Sequence, residues 1–211
     1  MITGVKHIIF DLGGVLLNLD YTLTEQAFID LGITNFGELY SQIRQNSFFD
    51  DWETGRISRQ QFIEGVQSAC GLDISDEQVC KAWNAMLLDM PLRRLQLLQQ
   101  LRLYYDLVLL SNTNEVHEQA VTEIVKNSHG QVLAAFFDKV YFSHRIGMRK
   151  PDAEIFRYVL EENGWKAEET LFIDDSIQHV EAAKLLGIQA IYLEPGMTIE
   201  KDIFKPKSAA G

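Results

Sequence analysis

The chain has 211 residues, of which 46% are hydrophobic and 23% charged, and its formal net charge is −11. This is ordinary globular composition, which excludes long disordered tracts, and the length suits one domain carrying an insertion. The acidic balance argues against a nucleic-acid-binding or anionic-membrane surface, since both need Lys and Arg to displace counterions; any phosphate must be handled locally.

The first apolar run, Val5–Phe10, ends at Asp11 in "HIIFDLGGVLLNLD". Similar runs follow at Leu107–Leu110, Val140–Phe142, Leu171–Ile173 and Ala190–Leu193. They are continuous rather than alternating, as expected of strands buried on both faces of a parallel sheet. Between the later runs, one helical stripe is formed by Ile155, Phe156, Val159 and Leu160, and another by Ile177, Val180 and Ala183. Strand–helix alternation of this kind predicts a parallel sheet covered by helices on both faces.

The segment from about Asp20 to Met90 reads differently, with helix signals and no convincing strand. Capping boxes are predicted at Thr22 with Glu25, Ser58 with Gln61 and Ser75 with Gln78. Gly55 in "DWETGRIS" separates two helices, and Pro91 starts the helix that returns the chain to the sheet. Phe48, Phe49 and Trp52 read as the core of this insertion, with a substrate-facing wall as the alternative. Cys70 and Cys80 are ten apart, without a CxxC or histidine spacing for zinc, and read as core thiols rather than a disulfide. The expected organisation is a core domain of residues 1–15 and 91–200, a helical insertion of 16–90 and a flexible tail of 201–211, with fraying from about Glu200 through Pro206 and "SAAG". No basic segment followed by a long apolar run opens the chain, and no stretch reaches the ~18–20 apolar residues of a membrane span. A cytoplasmic setting without membrane or nucleic-acid partners is expected, and monomer and homodimer both stay open.

In an open parallel sheet, ligands bind beyond the carboxyl ends of the strands. The residues placed there are Asp11, Ser111 with Asn112 in "LLSNTN", Lys150 in "GMRKPD", and Asp174 with Asp175 in "FIDDS". Singly, each has an ordinary explanation as a helix cap or surface charge. Together, adjacent acids after an apolar strand are costly unless a cation lies between them. Asp11, Asp174 and Asp175 make a hard, all-oxygen set that suits Mg²⁺, while Lys150 and Ser111 supply the charge and hydroxyl that a phosphoryl group needs.

"FDLGGV", "LLSNTN", "GMRKPD" and "FIDDS", in that order, resemble the four motifs of the haloacid dehalogenase-like hydrolase superfamily. The resemblance runs from residue 5 to about 195, and the "SNTNEVH" and "GMRKPD" runs look most like the branch of sugar-phosphate phosphatases related to bacterial alpha-glucose-1-phosphate phosphatase, then like the phosphatase domain of soluble epoxide hydrolase. The resemblance implies an α/β, Rossmann-like three-layer sandwich with a helical cap inserted after the first strand. It also implies an Mg²⁺-dependent phosphatase acting on a small phosphorylated substrate. In it Asp11 would be the nucleophile, Ser111 would bond the transferring phosphoryl with Asn112 beside it on the substrate, and Lys150 would neutralise charge. Mg²⁺ would be held by Asp11, the Gly13 carbonyl and Asp175, with Asp174 binding directly or through water.

The departure lies at Gly13, where most phosphatases of this family carry an aspartate that protonates the leaving alcohol. The glycine keeps its carbonyl for a metal but has no proton to give. A phosphatase remains the expectation, with a loss of ~10²- to 10⁴-fold from the missing group, eased for sugar 1-phosphates because a hemiacetal oxygen leaves readily. Asp20 and His117 are the candidate stand-ins. A metal-free 2-haloacid dehalogenase is opposed by the paired acids of "FIDDS". A non-catalytic binding protein is opposed by the intact Asp11, Ser111, Lys150 and Asp175. Gly13–Gly14 lacks the further glycines of a nucleotide loop.

Overall fold

The computed structural model of the chain describes residues 2–34, 36–37 and 47–205. The expected cap therefore includes positions, 35 and 38–46, outside the described residues, as do Pro206 and "SAAG" of the expected tail.

Five strands form one parallel sheet: β1 (His7–Phe10), β2 (Asp106–Ser111), β3 (Lys139–Phe142), β4 (Thr170–Asp174) and β5 (Gln189–Tyr192), in the order β3-β2-β1-β4-β5. Successive side chains point to opposite faces, which divides the apolar runs between two cores. Ile8, Phe10, Leu107, Leu109, Leu171 and Ile173 pack on one face; Ile9, Val108, Leu110 and Phe172 pack on the other, against Ile155, Phe156 and Val159. Both faces are covered, so both registers of each strand are apolar, and this is why the runs do not alternate. All five strands lie where the sequence places them, with ends shifted by one or two residues.

After β1 the chain leaves the sheet. Among the described residues it forms α1 (Tyr21–Asp30), α2 (Phe48–Glu53), α3 (Arg59–Cys70) and α4 (Asp76–Asn84) before α5 (Leu92–Leu101) returns it. Ser58 and Ser75 each make the reciprocal capping box with Gln61 and Gln78. The box expected at Thr22 does not form: Asp20 caps α1 instead, its carboxylate accepting from the Thr22 backbone N–H, and Thr22 lies inside the helix. An aspartate two residues upstream satisfies the same free N–H groups more strongly than a threonine hydroxyl.

These helices enclose a core of their own around Phe28, Trp52, Phe62, Ile63, Val79 and Trp83, into which Val116 of α6 (Glu115–His129) also packs. Phe49 and Trp52 are buried there, and the Trp52 ring stacks on Phe62 at 4.7 Å. Cys70 and Cys80 are both free. The remaining helices are α7 (Ser143–Ile146), α8 (Ala153–Asn163) and α9 (Ile177–Leu185). Fraying does not begin at Glu200. Residues Ile199–Ile203 form a π-helical turn with Ile199 fully buried and Glu200 paired to Arg94 at 3.4 Å. Among the described residues no helix is long and apolar enough to cross a membrane.

Candidate active site

The strands run one way, so their carboxyl ends share one edge, with β1 in the middle. Phe10 is in register with Leu109 and Ile173, which brings Asp11 out level with Leu110 and Asp174. The Asp11 backbone N–H holds this position by donating to Ile173 O at 3.0 Å. Ser111 is paired with Phe142 one step further along.

Lys150 is completely buried behind this edge. Its ammonium donates to Asp11 Oδ1 and Asp174 Oδ2, both at 2.6 Å, and to Leu110 O at 3.0 Å, and lies 5.4 Å from the centre of the Phe172 ring. Burying an ammonium is tolerable only when its protons are used, and here all three are. Asn112 fixes the lysine backbone: its amide donates to Lys150 O at 2.8 Å and accepts from Lys150 N–H at 2.9 Å. Asn112 therefore reaches the cavity wall with both ends of its amide engaged in holding Lys150.

Asp174 is fully buried. Its Oδ1 accepts from the Ser176 N–H at 2.7 Å, and His179 Nδ1 lies 3.0 Å from both carboxylate oxygens. Burial would raise its pKa, but Lys150 and His179 outweigh it and hold the carboxyl down at about 2. Asp11 behaves oppositely. Burial pushes it up to about 7, offset only in part by Lys150 and reinforced by Asp174 and Asp175. Burial alone would lower Lys150, but the two aspartates more than reverse this and raise it. Asp175, the open member of the group, is raised by the partial burial of its carboxyl and by Asp174.

One carboxylate oxygen from each of Asp11, Asp174 and Asp175 can be chosen so that all lie within 4.8 Å of one another. Three carboxylates share one ammonium, and the excess negative charge with an all-oxygen donor set fits a hard divalent cation. Gly14 makes this cluster possible. Its φ is +70°, and a Cβ there would lie 2.0 Å from Asp175 Oδ2.

Above the cluster is a cavity of about 610 Å³. Asp11, Gly13, Ser111, Lys150 and Asp175 form its floor, and Tyr21, Phe49, Glu53, Trp83, Met86 and Leu87 approach from the insertion. Phe49 thus serves both expected roles, packed in the insertion core with one part of the residue lining the cavity. At Gly13 a Cβ would meet Leu19 Cδ1 at 2.7 Å, so an apolar methyl occupies the space beside the glycine.

Neither expected stand-in is available. Asp20 is not among the residues lining the cavity, and its Oδ1 accepts from the Thr22 N–H at 3.0 Å and hydroxyl at 2.6 Å. His117 lines the cavity, but its ring stacks on Trp83 with centroids 5.3 Å apart and Nε2 lies 3.1 Å from Trp83 O. A carbonyl only accepts, so Nε2 carries the proton and Nδ1 faces the Asn114 amide at 3.3 Å. Burial lowers its pKa to about 4 against the opposing effect of the carbonyl, and the ring stays neutral.

Three residues of the site were not singled out from the sequence: His179 on Asp174, and the pair of Glu53 and Arg149, whose Oε2 and Nη2 lie 2.9 Å apart. Arg149 also pairs with Asp50, so it ties α2 to the loop that carries Lys150. The available signals were slight: Arg149 is the neighbour of Lys150, Glu53 precedes the turn at Gly55, and His179 stands five residues after Asp174.

A parallel Rossmann-like core with a single aspartate, a buried lysine and paired acids meeting beneath a helical insertion is the architecture of the haloacid dehalogenase-like enzymes. The family model for haloacid dehalogenase-like hydrolase matches residues 5–187, and the chain belongs to that family. It is 32% identical over 192 residues to a D-ribitol-5-phosphate phosphatase from Bacteroides thetaiotaomicron, with 91% of this chain and 93% of that protein covered. It is 28% identical over 199 residues to a sesquiterpene phosphatase from Aspergillus oryzae, covering 92% of each. Among solved structures, a haloacid dehalogenase family enzyme from Bacteroides thetaiotaomicron superposes with a TM-score of 0.89 at 35% identity, over 97% of this chain and 100% of that one. A structure of such an enzyme from that organism in complex with magnesium and inorganic phosphate gives a TM-score of 0.84 at 36% identity, over 91% and 96% of the two chains. The chain is thus a hydrolase, and the two phosphatases just named are similar to it over more than nine-tenths of their length and of its own.

Proposed function

We propose that this hydrolase is an Mg²⁺-dependent phosphomonoesterase that works through an aspartyl-phosphate on Asp11 and acts on a small phosphorylated sugar or polyol. The observation that carries the reading is the Asp11–Lys150–Asp174 line at the cavity floor, with both contacts at 2.6 Å. Lys150 fixes the Asp11 carboxylate by its Oδ1, so the nucleophile is oriented before substrate arrives. The same ammonium offsets charge on the transferring phosphoryl. Ser111 is buried, and its hydroxyl makes only a 3.5 Å contact to Asn112 O, which leaves it able to donate to a phosphoryl oxygen. Both oxygens of Asp174 are engaged by Lys150, Ser176 and His179. That favours Asp11, Asp175 and the Gly13 carbonyl as the direct magnesium ligands, with Asp174 acting through water. When bound there, magnesium supplies charge neutralisation for the phosphoryl oxygens.

The insertion of residues 16–90 acts as a cap that shields the reaction from water. A cavity of about 610 Å³ suits a small metabolite, and the names of the relatives favour a sugar or polyol phosphate. The reading includes a cytoplasmic setting, in keeping with the free thiols Cys70 and Cys80, and no nucleic-acid partner, in keeping with the net charge of −11.

The test is a panel of phosphorylated sugars and polyols assayed for phosphate release with and without Mg²⁺. Release from at least one, abolished by chelation, is the expected result. Tight binding with no release from any of them, or chloride release from a 2-haloacid without metal, refutes the proposal.

A further inference from the structure

In-line attack by Asp11 sends the leaving oxygen away from the sheet edge, towards the cap. The side chain that could meet it from position 13 is absent, and Leu19 lies beside that glycine. Asp20 and His117 are committed to a helix cap and to the Trp83 and Asn114 side of α6. His179 is bonded to Asp174. Among the described residues, Glu53 is the one carboxylate that the cap contributes to the cavity wall. Its Oε2 is sealed from solvent and receives no hydrogen bond of good geometry; what holds it is an ion pair with Arg149, whose Nη2 is 2.9 Å away. A buried carboxylate oxygen held by an ion pair alone keeps room for a hydrogen bond brought by a ligand.

We propose that Glu53 handles the leaving group's proton in place of the side chain missing at Gly13, an inference that rests on the phosphomonoesterase reading above. In the first half-reaction an Asp11 oxygen bonds to phosphorus, the bond from phosphorus to the ester oxygen breaks, and its electron pair takes the proton of the Glu53 carboxyl. The alcohol leaves and Glu53 becomes a carboxylate. In the second, water attacks phosphorus and gives its proton to Glu53, and the bond from phosphorus to Asp11 breaks to release inorganic phosphate. The enzyme returns to its starting state with no other reactant. The groups facing Glu53 are Arg149, Asp50, His179 and Lys150; burial, reinforced by Asp50, outweighs Arg149, His179 and Lys150 and raises its pKa. The carboxyl therefore keeps its proton to higher pH than an exposed glutamate.

Glu53→Gln tests this, because it keeps the shape and removes the proton. With an alkyl phosphate, kcat/KM is expected to fall ~10²- to 10⁴-fold, and with p-nitrophenyl phosphate, whose phenolate leaves unaided, by less than ~10-fold. The variant should also release a burst of nitrophenolate followed by slow turnover, since the water step lacks its base. Glu53→Asp, which keeps a carboxyl, should retain more alkyl phosphatase activity than Glu53→Gln. Equal losses on the two substrates, or equal losses in the two variants, with the fold intact by circular dichroism, overturn the assignment. Asp11→Asn run alongside separates the two claims: if it still turns over, the aspartyl-phosphate reading fails, whereas if it is inactive and Glu53→Gln is not selective, only the role of Glu53 fails.

Discussion

Replacing Lys150 by Met leaves two carboxylates facing each other in the protein interior. The ammonium is 0% exposed and bonds Asp11 and Asp174 at 2.6 Å each, Asp174 being 0% exposed as well. Removing one partner of a buried ion pair costs about 3–5 kcal/mol, because the remaining charge is uncompensated. With a urea slope of about 2 kcal/mol/M, the midpoint of Lys150→Met should drop by roughly 1.5–2.5 M at pH 8 without added metal. The pH dependence has a definite sign. In the native protein Asp174 is held at about 2, below its ordinary value, so its contribution to stability is present above about 4 and fades as pH falls towards 2. In the variant both carboxylates lose the cation that favoured their charged forms and are protonated at higher pH. The deficit should therefore be largest at pH 8 and shrink on acidification towards pH 4. Urea unfolding followed by circular dichroism at pH 4, 6 and 8 measures it. A midpoint shift under about 0.5 M at pH 8, or a deficit that grows on acidification, would refute the view that Lys150 is held by these two charges.

Other variants probe the remaining parts of the site. Asp11→Asn should abolish turnover yet be no less stable at pH 8 than the parent, since burial holds the native carboxyl up at about 7 and its charged form opposes folding there; urea midpoints beside phosphate release decide it. Gly14→Ala forces a side chain into φ +70° and a Cβ to 2.0 Å from Asp175 Oδ2, so it should lose about 1 kcal/mol or more and need a higher Mg²⁺ concentration for half-maximal activity, read by metal titration. Gly13→Asp combined with Leu19→Ala, which clears the methyl 2.7 Å from the new Cβ, should speed hydrolysis of alkyl phosphates more than of p-nitrophenyl phosphate, and an equal change on both would count against the account of Gly13. Ser58→Ala removes the side chain that caps α3 and should lower stability by about 1 kcal/mol with no change in kcat.

The parts of the molecule legible in the sequence are those whose physics is local or periodic. A strand buried on both faces must be apolar at every position, and β1 to β5 were visible for that reason. The floor of the site was visible because parallel strands deliver their next residue to a common edge, so Asp11, Ser111 and Asp174 could be placed together from spacing alone. Capping failed at Thr22 for a reason of the same kind. Two oxygen-bearing side chains compete for one set of free N–H groups, and the pattern of Thr22 with Glu25 does not reveal that Asp20 reaches them first.

The roof is a different problem, because its residues come from separate helices whose relative placement no short pattern encodes. His117 shows this. Three residues after Asn114, its position is consistent equally with a proton donor and with a structural ring, and what decides is Trp83, 34 residues earlier, whose ring and carbonyl engage the imidazole. Glu53 and Arg149 are 96 residues apart by their numbering, and only the folded chain reveals that they meet at 2.9 Å over the cavity. The absence at Gly13 was readable at once, but a missing side chain says nothing about where its replacement comes from. The fold narrows that choice: Asp11, Asp174, Lys150 and His117 are bonded within the floor and on α6, Asp175 belongs to the acidic cluster, and among the described residues Glu53 is the one carboxylate the cap brings to the cavity wall. On the proposal above, the leaving group's proton comes from the insertion, whereas the nucleophile and the metal-binding carboxylates stay on the sheet edge.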